Sequence, residues 1–296
     1  MTLCFAKVIS GCNSLFTMEL VYPRFIHSEF MTHRVFSRNA SSSRAIPIDR
    51  IIDDIKKHPV VPEEVYKNCK GMSGKERLSV EEYALFKGHW LSAMDSAIEA
   101  ARELQSLNIH KQTVNRLLEP FMFIKTLVTS TEWGNFFTQR ISPNAQPEMR
   151  ELACAMKNAQ ESWRDNTSAS LNGDCFEFNG MIFSLPYVTK DDIVSIQEYL
   201  NEHDMDVSTF WQTAMGVSAA RCARVSYNKH DGTKPTLEED MNLARRLYSD
   251  GHMSPFEHPC MFVGSWSGIN NEQYFDNLRG WVSARNLLTN GTISVY

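Results

Sequence analysis

Hydrophobic and polar positions alternate most clearly near the start of the chain, where Phe16, Met18 and Leu20 are separated by Thr17 and Glu19. A two-residue period belongs to a strand with one covered face. Residues 3–9 and 15–22 are therefore expected to be strands, with Gly11-Cys12-Asn13-Ser14 as the turn between them. Pro23 can open a helix as its first residue, and Phe25, Ile26, Phe30, Met31 and Val35 follow at roughly helical spacing. That helix would carry His33 and Arg34 to its far end. From about Val80 the period is strongly helical, with Trp90, Leu91, Met94, Ala97, Ile98, Ala101 and Leu104 three and four residues apart. Such a stripe reads as core rather than as a cofactor contact. Asn108-Ile109-His110 breaks it before a second helix over 111–118, which ends near Pro120. An apolar run over 121–128 and a helix-like piece with Trp133, Phe136 and Phe137 come next.

The remaining stretches are less regular. Residues 48–80 combine a charged segment with Pro59, Pro62 and a Gly71-Met72-Ser73-Gly74 break, and read as a peripheral excursion. Residues 160–215 contain a short apolar run at 181–185 and a helix-like piece at 193–200, without assignable chemistry. The expected architecture is one α+β domain over 1–296. Its antiparallel sheet would be built from the N-terminal strands and the segment near 260–263, with long helices packed on it.

Composition narrows the function classes. With 43% hydrophobic and 22% charged residues the chain resembles an ordinary globular protein. A formal charge of −5 argues against a broad nucleic-acid-binding face, so any anion bound is expected to be small and locally held. The cysteines Cys4, Cys12, Cys69, Cys154, Cys175, Cys222 and Cys260 form no C-x-x-C pair and no zinc-like spacing with His. An odd, unpatterned set suggests a reducing compartment. The N-terminal apolar run is interrupted by Lys7, and no stretch of about 18 apolar residues occurs, which points to the cytoplasm and no membrane partner. Neither H-E-x-x-H nor G-x-S-x-G is present, which gives little support to a metalloprotease or serine hydrolase.

Candidate chemistry concentrates in residues 25–47. His33, Arg34, Arg38, the run Ser41-Ser42-Ser43 and Arg44 offer hydroxyls, backbone N–H groups and guanidinium groups to one small anion. The same residues read equally as a basic helix end followed by a solvated serine loop. Alone, Arg116 and Arg140 read as surface arginines and His252 as a structural or solvent-facing imidazole.

The run His33-Arg34-x-x-Ser37-x-Asn39-x-x-Ser42-x-Arg44 resembles the flavin-dependent thymidylate synthase signature RHRxxSxNExSxR. Thr32 stands where that family has its first Arg, Ala40 where it has Glu, and Glu29 where it has a substrate-contacting Gln. A second block resembles the family in Arg116, Asn135-Phe136, Arg140 and Ala145-Gln146-Pro147-Glu148. A third is similar over 218–227 and over Gly251-His252-Met253-Ser254-Pro255-Phe256-Glu257-His258. In the usual family order the third block comes first, so the sequence looks circularly permuted. Permutation costs little when the joined ends lie close together and the new ends are exposed.

This resemblance implies reductive methylation of dUMP to dTMP, with methylenetetrahydrofolate as carbon donor, FAD as cofactor, NADPH as reductant and a homotetramer as the assembly. Carried over by position, it gives substrate binding to Glu29, Ser42, Ser43, Arg44, Arg116 and Arg140, with Arg116 reaching in from a neighbouring subunit. Arg140 is also the catalytic candidate, placed against the pyrimidine carbonyl where a fixed cation stabilises charge developing on the ring. FAD contacts are implied for His33, Arg34, Val35, Asn135, Asn144, Ser226, His252, Ser254 and Glu257. A carboxylate at Glu29 can accept but not donate, which keeps open dCMP as the substrate or hydroxymethyl as the transferred group. A non-catalytic flavin- or nucleotide-binding protein is the remaining alternative. Arg279 or Arg285 is expected to supply the cation missing at Thr32.

Overall fold

In the computed structural model, residues 3–12, 14–71, 73–166, 175–204, 209–225, 235–263 and 274–295 are described. Strands β1 (Phe5–Cys12) and β2 (Leu15–Pro23) form the expected N-terminal hairpin. A 3-10 turn, Arg24–Ile26, leads into a single-turn helix α1 (His27–Phe30), followed by β3 (Ser37–Ala40) and a second 3-10 turn, Ser43–Ala45. Helices α2 (Ile48–Lys57), α3 (Val80–Ser106) and α4 (Lys111–Val114) precede β4 (Phe123–Ser130), and α5 (Gly134–Arg140) and α6 (Pro147–Asn166) follow it. The second half carries β5 (Phe176–Phe178), β6 (Met181–Ser184), α7 (Lys190–Glu202), α8 (Phe210–Ala223) and α9 (Leu237–Ser249). It closes with β7 (Cys260–Phe262), β8 (Tyr274–Phe275), β9 (Leu278–Arg279), β10 (Trp281–Ser283) and α10 (Ala284–Thr289).

Among the described residues the strands make two four-stranded antiparallel sheets, ordered β1-β2-β4-β3 and β10-β7-β6-β5, and a two-stranded one, β8-β9, rather than the one sheet expected. The strand at 260–262 therefore pairs with β6 and β10 and not with the N-terminal hairpin. Short apolar runs specify a buried face without specifying which neighbour covers it, so sheet membership was not in the pattern. The sheets meet where Ser10 of β1 and Ser184 of β6 share a buried hydroxyl hydrogen bond of 2.9 Å.

β2 is central and covered on both faces: Phe16, Met18, Leu20 and Tyr22 are buried on one side, and Leu15 and Thr17 on the other. Thr17 lies opposite Thr129 on β4, and their hydroxyls bond at 2.7 Å, satisfying two buried polar groups with each other. Helix α6 lays Met149, Leu152, Ala153 and Met156, at helical spacing, into the same core. A Ser79–Glu82 capping box starts α3, and Asn108, in the left-handed region at φ 60°, follows its end.

Three further expectations are corrected here. Residues 48–80 are not wholly peripheral, because Ile48, Ile51, Ile52 and Ile55 form the apolar stripe of α2 and pack on Met94, Ile98 and Ala101 of α3. Residues 160–215 are not merely irregular either, since Phe183, Leu185, Ile196, Leu200 and Phe210 belong to the core of the second half. The helix opening at Pro23 is also shorter than its spacing suggests. Thr32 donates both its amide and its hydroxyl to the Glu29 carbonyl, at 3.0 and 2.7 Å, and closes α1 before His33.

Candidate functional site

Buried aromatic rings carry the signature turn. Phe36 packs 5.0 Å from Trp133 and 5.1 Å from Phe136, centroid to centroid, and the His33 ring meets Phe136 edge-on at 4.8 Å. On this platform Arg140, at the end of α5, reaches back to the signature. Its Nε donates to His33 Nε2 at 2.8 Å, and its Nη1 makes a short ion pair with Glu29. Burial, and then the charges of Arg140 and Arg38, push the His33 pKa down to about 4. The imidazole is therefore neutral near pH 7, accepts at Nε2 and keeps its proton on Nδ1. A guanidinium has five N–H donors, of which two are used here, so three remain for a ligand among the described residues.

The serine run follows β3 directly. Ser41 and Lys125 exchange two bonds: the Ser41 amide donates to the Lys125 carbonyl at 2.8 Å, and the Lys125 amide donates to Ser41 Oγ at 3.2 Å. Ser43 is buried, and its hydroxyl donates to Glu119 Oε1 at 2.6 Å. The same oxygen accepts from Arg24 Nη2 at 3.0 Å and from Arg116 Nη1 at 2.8 Å. Burial raises the Glu119 pKa, but the Ser43 hydroxyl and the Arg24 and Arg116 guanidinium groups outweigh it and hold the carboxyl below its usual range. Asn115 Nδ2 donates to the carbonyls of Ser43 and Ile46, at 2.7 and 3.0 Å, and Lys111 Nζ to that of Ala45 at 2.8 Å. Ser42 stays half-buried and Arg44 exposed.

The stretch after α9 comes to the other side of β3. The 3-10 turn Ser254–Glu257 packs on β3, and Glu257 forms an ion pair with Arg285 of α10. His258 is fully buried, with Nδ1 at 2.8 Å from Thr129 Oγ1, and burial alone pushes its pKa down to about 3. Asn39 of β3 donates to the Cys222 carbonyl near the end of α8 at 2.9 Å. The other two blocks thus both meet the signature stretch, Arg140 at Glu29 and His33 and the turn 254–257 at β3. A polar cavity of about 510 Å3 lies against Ser37 and Glu257 and is lined further by Asp276, Ser283, Arg285 and Asn286.

Other candidates sit further out. His252, Ser254 and Asn135 are exposed, and Asn135 Oδ1 accepts from Gln139 at 3.3 Å. Asn144 is exposed and its carbonyl accepts from Ser73 at 2.8 Å. Ser226 lies outside the described residues. Arg279 pairs with Glu132 at 3.0 Å and Arg285 with Glu257, and Arg38 also brings a guanidinium to the turn at Thr32, donating to the Met31 carbonyl at 2.8 Å.

Sequence reasoning missed Arg24, Lys125 and Glu119. Lys125 interrupts the apolar run of β4, which was its one available signal. Its ammonium pairs with Glu19 at 2.8 Å, and it lines both a cavity of about 430 Å3 against α2 and a smaller one with Tyr187, Arg221 and Arg224. Among the described residues no group of His, Cys, Asp and Glu is arranged to hold a metal, and no helix is long and apolar enough to cross a membrane.

Similar solved structures include thymidylate synthase X from Helicobacter pylori with FAD and dUMP, at 18% identity and a TM-score of 0.35, covering 49% of this chain and 66% of that one. A second H. pylori structure, of a flavin-dependent thymidylate synthase with FAD and dUMP, aligns at 20% identity and a TM-score of 0.34, over 49% and 67% of the two chains. A UMP/dUMP methylase, PolB from Streptomyces cacaoi, bound with 5-Br UMP, aligns at 13% identity and a TM-score of 0.44, over 55% and 90%. The match thus spans just under two thirds of the first H. pylori chain. No curated protein sequence matches. The model of the thymidylate synthase complementing protein family matches residues 13–163, just over half of the chain, and the chain belongs to that family.

Proposed function

We propose that the protein is a flavin-dependent thymidylate synthase, converting dUMP to dTMP with methylenetetrahydrofolate as carbon donor and NADPH as reductant. The observation that carries this reading is the convergence on residues 29–40 of Arg140 from the second block, which bonds Glu29 and His33, and of residues 254–257 from the third, which pack on β3. That meeting also supports a permuted chain order, in which the third block takes its family place although it follows the others in sequence.

The residues suit FAD. Arg34 and Val35 are exposed beside His33, and the cavity between Ser37 and Glu257 offers hydroxyl, amide and charged groups for a polar cofactor edge. When bound, FAD supplies the redox chemistry, and the protein supplies orientation and charge. His33, Arg34, Val35, His252, Ser254, Glu257, Ser226, Asn135 and Asn144 are the proposed cofactor contacts. The free donors of Arg140 are proposed to bind the pyrimidine carbonyl and to stabilise the charge that develops when C5 attacks. Glu29 and His33 hold that guanidinium in one plane. Ser42 and Arg44 are proposed to hold the phosphate, with Lys125 nearby and Ser43 contributing through its backbone amide, since its hydroxyl is donated to Glu119. Arg116, its side chain 53% exposed, is accessible to a neighbouring subunit of a homotetramer.

A second reading has its own support. Only Oε1 of Glu29 is bound to Arg140, and Oε2 can accept from the exocyclic amine of a cytosine. Side-by-side turnover of dUMP and dCMP, with the products identified by mass, tests both readings. dTMP formed from dUMP is expected. Methylation or hydroxymethylation of dCMP alone would favour the second reading, and a flavin-loaded protein that turns over neither nucleotide would contradict both.

A further inference from the structure

One carboxylate oxygen joins three elements that no sequence motif connects. Oε1 of Glu119 holds Ser43 in the serine turn, Arg24 at the entry to α1, and Arg116 in the 3-10 turn after α4. We propose that Glu119 is a positioning residue for the phosphate end of the nucleotide site, fixing the serine turn and its flanking cations without touching the ligand. This rests on the dUMP reading given above.

The turn is held from beneath at every available point. The Ser43 hydroxyl is buried and committed to Glu119, while Asn115 and Lys111 take the carbonyls of Ser43, Ala45 and Ile46. With its buried side immobilised, the turn presents the half-buried Ser42 and the exposed Arg44 outward. Arg24 and Arg116 both lie within 3.0 Å of the same oxygen, so each would repel the other without the charge between them. Two guanidinium groups and one carboxylate leave a net positive charge beside the turn, compatible with a phosphate outside the cluster. Arg24 also begins the segment that carries Glu29, the partner of Arg140. Glu119 therefore ties the proposed phosphate end to the proposed pyrimidine end through a few residues of chain.

A carboxylate in such a place has two possible effects on an anion. As a positioning group it strengthens anion binding by ordering the donors. As an occupant of the anion site it competes, and its removal would tighten binding. The burial of Ser43 beneath Glu119 favours the first, because the hydroxyl that Glu119 engages is enclosed by the protein.

The test uses the flavin-loaded full chain and the variants Glu119→Ala and Glu119→Gln, with dUMP binding measured by calorimetry and inorganic phosphate as a competing probe. For Glu119→Ala, KM and Kd for dUMP and the inhibition constant of phosphate are expected to rise about tenfold, with kcat within about threefold of the parent. Glu119→Gln keeps an acceptor oxygen and the shape of the side chain, so an intermediate rise of about threefold is expected and covers the case in which the Ala variant does not fold. Unchanged or tighter binding of dUMP and phosphate in a folded variant would overturn the proposal, as would a loss confined to kcat. Failure of the parent protein to bind dUMP would instead refute the functional reading.

Discussion

The clusters around Arg140 and Glu119 are built from the same residue types and differ in what they leave unsatisfied. Arg140 is a cation shared between two acceptors, His33 and Glu29, and keeps donors free. Glu119 is an anion on which three donors converge at one oxygen, so its partners are engaged by the protein itself. Residues that look equivalent in a motif, such as Ser42 and Ser43, therefore separate into one open to a ligand and one whose side chain is committed to the scaffold. Spare hydrogen-bonding capacity, rather than charge, makes the distinction.

The largest expected effect is at Arg140. Arg140→Ala removes the free donors and leaves Glu29 without its counter-ion, and kcat/KM for dUMP is expected to fall at least about a hundredfold. Lysine keeps the charge but cannot bond His33 and Glu29 while presenting a planar face, so Arg140→Lys should recover little of the loss in steady-state assays. If Arg140→Ala lost less activity than Glu119→Ala, the division of roles would be reversed.

Next comes Glu29→Gln, which keeps the side-chain shape and adds a donor. The ratio of dUMP to dCMP turnover is expected to move about tenfold toward dUMP, read from parallel assays. An unchanged ratio would remove Glu29 from base selection.

A third effect concerns histidines that must stay neutral. His258 has its pKa lowered from about 6.5 unfolded to about 3 folded, and His33 and His27 are lowered to about 4. Between these values the unfolded chain holds more protons, so stability is whole above pH 6.5 and falls as the pH is lowered toward 3. In urea unfolding followed across that window, His258→Gln should reduce the slope by up to about 1.4 kcal/mol per pH unit, one proton's worth. An unaltered slope would mean that His258 reaches water.

The smallest effect is at Ser43. Ser43→Ala leaves Glu119 with both arginines, and a loss of about 1 kcal/mol is expected from urea unfolding of the variant. A loss as large as that of Glu119→Ala would place the hydroxyl, rather than the carboxylate, at the centre of the cluster.

Much of the frame was legible in the sequence. The alternation in β2, the apolar stripe of α3 and the break at Asn108 each have a local cause and appear where expected. The pairing of Arg140 with His33 and Glu29 was legible only as three points in two motifs, because the side chains come together where α5 meets α1 and the turn after it rather than through spacing. Glu119 and Arg24 carry no local mark, since their roles arise from convergence of separate elements, and Lys125 is marked only by its break in the apolar run of β4. The stripe of α2 was hidden by the charges between its isoleucines, and the second sheet by the shortness of its strands.

The account depends most on a flavin and a pyrimidine nucleotide meeting at β3 under the control of Arg140. Tritium release from 5-tritiated dUMP, followed with the flavin-loaded protein, NADPH and methylenetetrahydrofolate, tests this directly. The account requires release that matches dTMP formed and disappears in Arg140→Ala. A colourless protein that binds no FAD and releases no tritium, or a flavin-bound one whose release is indifferent to Arg140, would contradict it.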